Sequence, residues 1–158
     1  MRFHISIISF SESLQKSILP GCTFVFNKEA AIFAKRYNGY MESHDWILYA
    51  IVSAIGNVIY DEESHIYYRI HDNNTIGKAS RVKLLKERIK RFFSKPKCVR
   101  SSMARDIYMI YNNDMNEENK RNCYLLANYK VDHKKMSLIF NKSFKGIIFK
   151  IYVLLGKV

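Results

Sequence analysis

The sequence predicts an α/β portion over residues 1–77 followed by a basic, mostly α-helical region over 78–158, and three observations carry that expectation. First, "NVIYD" (57–61) and "HIYYRIH" (65–71) are β-branched and aromatic and read as two short strands around the acidic turn Asp61-Glu62-Glu63. Second, apolar residues recur at helical spacing both before these runs and through the second half. Third, the net charge of +12 is not shared evenly. Residues 1–77 hold 6 Lys/Arg against 8 Asp/Glu, whereas residues 78–158 hold 20 against 6.

Taken in order, "GCTFVF" (21–26) follows Pro20 and reads as a turn leading into a short strand, with Gly21 free of the Cβ restriction on φ. "NKEAAIFAKRY" has Asn27 as N-cap and places Ala30, Ala31, Phe33, Ala34 and Tyr37 on one face of a helix. "NGYMES" (38–43) is a loop. From Trp46 to Ile55 the chain is apolar almost all round, which predicts a helix buried on most sides, and Gly56 suits a left-handed residue just past its end. "SRVKLLKERIKRFF" (80–93) is a basic amphipathic helix ended by Pro96. "RSSMARDIYMIYNN" and "NEENKRNCYLLANYK" repeat that texture, the second with an Asn116 cap and an acidic first turn. "FKGIIFKIYVLLGKV" is an apolar helix with cations at intervals.

With 48% hydrophobic and 14% aromatic residues, 158 residues can bury a core and suggest about one domain rather than a disordered chain. Met1 to Phe10 lacks the features of a signal peptide. The apolar run Gly146–Gly156 is interrupted by Lys150 and falls short of the ~20 residues that span a bilayer. A soluble or peripheral cytoplasmic protein is the expectation. Cys22, Cys98 and Cys123 have no metal-type spacing and read as reduced thiols.

Ionisable groups bracket the central apolar segment: His44-Asp45 precede Trp46, and His71-Asp72-Asn73-Asn74 follow the second strand-like run. Singly, each has a plain structural explanation. Ser43 or Asp45 suits a helix cap, and His71 suits a strand end satisfied by backbone, with Asp72-Asn73-Asn74 as an ordinary turn.

Together, "GCTFVFN", "HDW", "SAIGNVIYD" and "YRIHDNN" resemble the C-terminal half of the catalytic domain of bacterial family 2 glycosyltransferases, the rhamnosyltransferase-like enzymes of surface-polysaccharide synthesis. The resemblance spans residues 18–77 and extends loosely into the basic region. It implies a type-A, Rossmann-like nucleotide-sugar fold and an inverting transfer from a nucleotide-diphosphate sugar to a lipid-linked or growing glycan. By resemblance, Asp45 is the general base and His71 the late ligand of a divalent cation, Mg²⁺ or Mn²⁺, on the donor diphosphate. Gly21, with Cys22 and Thr23, forms the glycine loop beside the donor sugar. Trp46 packs at the acceptor side, His44 is a further substrate-binding residue, and Arg69 and Asn74 hold the His71 loop. The family's nucleotide-binding strands and Asp-x-Asp metal motif would precede the glycine loop. Only twenty residues do so here, and no Asp-x-Asp occurs, so a C-terminal fragment is expected, without a full metal site.

The basic second half suits attachment to an anionic cytoplasmic leaflet at the inner face of the cell membrane. A nucleic-acid-binding protein or a non-catalytic remnant are the alternatives. Against nucleic acid stand the absence of a known binding motif and aromatics that fall at core spacing.

Overall fold

The computed structural model describes residues 9–17, 19–61, 63–67, 98–131 and 134–158, together with Lys86 and Lys90. Among them the regular elements are helical: α1 (Phe10–Ser13), a 3₁₀ turn (Gly21–Thr23), α2 (Lys28–Lys35), α3 (His44–Ile55), α4 (Val99–Tyr111), α5 (Glu117–Ala127), α6 (Lys134–Phe140) and α7 (Ile147–Leu154).

Local chemistry sets the starts. Ser9 opens α1 with a capping box, accepting from the Glu12 backbone N–H while the Glu12 carboxylate accepts from the Ser9 N–H at 3.1 Å. Asn27 Oδ1 accepts from Ala30 N at 2.9 Å to open α2, and Asn116 Oδ1 accepts from Asn119 N at 2.8 Å to open α5. Both caps are as the sequence predicts.

Helix α3 is the axis of the fold. Its Trp46, Ile47, Ala50, Ile51 and Ala54 are buried at three- and four-residue intervals, and it packs against α1, α2, α4 and the 3₁₀ turn. Helices α4 and α5, joined through residues 112–116, form a helical hairpin whose Met103, Ala104, Ile107, Tyr111, Cys123 and Leu126 complete the same core. Polar stitches cross the core: Trp46 Nε1 donates to the Ser13 carbonyl at 2.6 Å, Arg100 Nε to the Gln15 carbonyl at 2.6 Å, and Asn119 Nδ2 to the Ala54 carbonyl at 2.9 Å. The chain divides into two units, Met1–Tyr60 with Cys98–Val158, and Asp61–Lys97. In the second, Asp61 Oδ1 accepts from Glu63 N at 2.9 Å, and Asp61 Oδ2 meets His65 Nε2 at 2.9 Å.

The α/β expectation is overturned, and with it the Rossmann-like type-A fold: among the described residues every regular element is helical and no strand is present. Thr23 ends the 3₁₀ turn and Phe24 is extended but in no strand, with Val25 fully exposed, and Ile59 in "NVIYD" is 91% exposed. β-branched and aromatic residues favour strands by fitting a pleated, half-buried surface, and a run without a partner cannot satisfy its backbone that way. Gly56 is also not left-handed; at φ −141° it is ordinary extended backbone. Of the expected helix over 80–93 only Lys86 and Lys90 are described, both helical, and the strand end at 68–71 lies outside the described residues. No described helix is long and apolar enough to cross a membrane.

Candidate functional site

The 3₁₀ turn and the first turn of α3 meet although 24 residues separate them: Gly21 N donates to Asp45 Oδ2 at 3.3 Å. The turn is held from within, Thr23 Oγ1 donating to the Pro20 carbonyl at 2.8 Å and Phe24 N to the Gly21 carbonyl at 3.1 Å. Glycine lets the turn approach α3 closely. A Cβ at position 21 would sit 3.0 Å from Asp45 Cβ and 3.3 Å from His44 Nε2.

Asp45 occupies the second residue of α3, and Oδ1 accepts from Trp46 N at 2.8 Å, satisfying one of the helix's orphan donors. The Ser43 hydroxyl bond, the Trp46 and Gly21 N–H groups and the adjacent His44 hold its carboxyl below the usual range, against partial desolvation, which acts in the other direction. Of the two capping alternatives, Asp45 takes the role, for the Ser43 side chain makes no cap bond.

Behind this pair a cleft of about 380 Å³ runs along α2 and α3. Gly21, His44 and Asp45 lie in its lining; the walls are Phe24, Phe26, Ala31, Ala34, Tyr37, Met41, Ile47, Leu48 and Ile51. The lining contains no Lys or Arg. A diphosphate placed there would meet the Asp45 carboxylate without a cationic side chain to offset it, whereas a neutral ring with an apolar face fits.

The structure therefore brings three of the sequence-predicted residues, Gly21, His44 and Asp45, to one cleft. Cys22 and Thr23 are exposed on the adjoining turn, outside the lining. Trp46 is turned into the core, its indole N–H bonded to Ser13, and lies outside the lining of the cleft. Arg69, His71 and Asn74 lie outside the described residues. The apolar walls were not anticipated. Phe24 and Phe26 read as strand residues, and Met41 sits in a loop whose sequence has no periodicity to mark it.

The described residues alone do not fit Mg²⁺ or Mn²⁺: no three His, Cys, Asp or Glu side chains among them converge, and both Asp45 oxygens already face backbone N–H donors. Comparison with protein-family models, curated proteins and solved structures finds no match.

Proposed function

We propose that the cleft is the acceptor side of an inverting glycosyl-transfer site. The observation supporting this reading is the meeting of Gly21 and Asp45 at the cleft, since these are the residues to which the family resemblance gives the glycine loop and the base. In the proposed step the acceptor oxygen forms a bond to the anomeric carbon of a nucleotide-diphosphate sugar. The bond from that carbon to the diphosphate breaks, the electron pair leaves with the nucleoside diphosphate, and the hydroxyl proton passes to Asp45. The carboxyl, held below its usual range, is ionised at neutral pH and so in the proton-accepting form.

A second reading is favoured by the same geometry: the Gly21 and Trp46 N–H groups and the Ser43 hydroxyl all donate to Asp45, as in a carboxylate that pins the 3₁₀ turn to α3. Nucleoside diphosphate release separates the two, measured with dTDP-, UDP- and GDP-sugars and a lipid-linked glycan acceptor. Acceptor-dependent release that falls about 10²–10⁴-fold in Asp45→Asn, with unchanged far-UV circular dichroism, supports the base. Equal release by the variant leaves Asp45 a structural role, and no acceptor-dependent release by the unaltered chain overturns the transfer reading.

A further inference from the structure

We infer that the outer face of α7 is a docking surface for an anionic lipid bilayer, independently of the transfer reading. At 3.6 residues per turn, Ile147, Ile148, Ile151, Leu154 and Leu155 share an arc of about 120°, with no polar residue inside it. All five are exposed, Ile147 and Ile148 by 76% and 72%. The opposite side is what fixes the helix to the core: Phe149 and Val153 are buried, and Phe149 stacks on Phe144 with ring centroids 5.3 Å apart. Five adjoining aliphatics facing outward are more than scattered surface residues require.

The charge around the face selects its occupant. Residues 134–158 contain six lysines and no Asp or Glu, and Lys142, Lys145, Lys150 and Lys157 flank or punctuate α7. Lys150 sits at the edge of the apolar arc, where a long stem can lie along hydrocarbon with its ammonium among headgroups. An apolar stripe together with a cationic patch is the pair of signals that stable interfacial binding needs, and the cations specify negative headgroups. A second copy of the chain is disfavoured, since each copy brings the same excess of positive charge. Eight residues span only about 12 Å, so α7 lies in the interface and does not cross it.

The test is cosedimentation of the full chain with vesicles of phosphatidylglycerol and phosphatidylcholine, or of phosphatidylcholine alone. Binding at least about tenfold tighter to the anionic vesicles is expected. Ile148→Glu with Ile151→Glu should lower it by about tenfold or more, while circular dichroism and melting stay unchanged because both positions face solvent. Any of three results overturns the inference: no sedimentation with anionic vesicles, binding that the double variant retains, or a self-association of the free chain that the double variant abolishes.

Discussion

Asp45 combines two demands on one carboxylate, because the donors that make it a good anchor also reduce its affinity for a proton. Its folded pKa lies below the unfolded value near 3.9, so folding favours the ionised form. The resulting stabilisation is complete above the unfolded pKa and is lost as pH falls through the lower, folded one. Asp45→Asn removes the titration while retaining an oxygen able to accept from Trp46. The gap in urea midpoint between the unaltered chain and the variant should therefore be steady from pH 7 to 5 and narrow below about pH 4. A gap that persists undiminished to pH 2 would show that the carboxylate's charge does not contribute to the fold.

At the scale of elements, what could be read from sequence is what is decided within a few residues. Asn27 and Asn116 announce helix starts because a cap is a local hydrogen bond to a backbone three residues on. Strands are not local in this sense: "NVIYD" has the composition, but composition does not form the pairing with a neighbouring run that a strand needs, and no strand is present among the described residues. The contact between Gly21 and Asp45 is likewise non-local, and no periodicity in the sequence marks it. Helix ends show the distinction between two similar glycines. Gly156, at φ 68°, closes α7 in a Schellman motif, with Gly156 N donating to the Val153 carbonyl at 3.1 Å and Lys157 N to the Tyr152 carbonyl at 2.9 Å. Gly56 ends α3 in extended backbone instead, its Cβ position 3.4 Å from the Val52 carbonyl oxygen. Gly156→Ala should cost about 1 kcal/mol through its φ alone, since no atom crowds the site, and Gly56→Ala much less. Chemical denaturation of the two variants checks the order, and the reverse order would refute the assignment of the left-handed position.

Across the whole described unit, the two stretches on either side of residues 61–97 fold as one body rather than as a catalytic part with an appended tail. Tyr111 of α4 donates its hydroxyl to the Phe33 carbonyl of α2 at 2.7 Å. Arg36 bonds the Ile110 carbonyl at 2.9 Å, pairs with Asp114 at 2.9 Å and stacks over the Tyr111 ring. Burial pushes the Tyr111 hydroxyl up to about 12, and Tyr37 is raised too, by burial first and then by Asp106. A folded pKa above the unfolded value near 10 means that this stabilisation is whole below pH 10 and is lost as pH rises through about 12. The chain should therefore unfold over that window with helix content and Trp46 fluorescence changing together, because Trp46 anchors α3 to Ser13 in the core that α4 and α5 complete. Tyr111→Phe should lower stability at pH 7 by about 1 kcal/mol, since the Phe33 carbonyl then keeps only the Arg36 N–H and loses the bond between α2 and α4. It should also make the alkaline limb shallower without abolishing it, Tyr37 still titrating. If Trp46 fluorescence were lost at a lower pH than helicity, α4 and α5 would be holding together without the first sixty residues, and the single core described here would have to be divided.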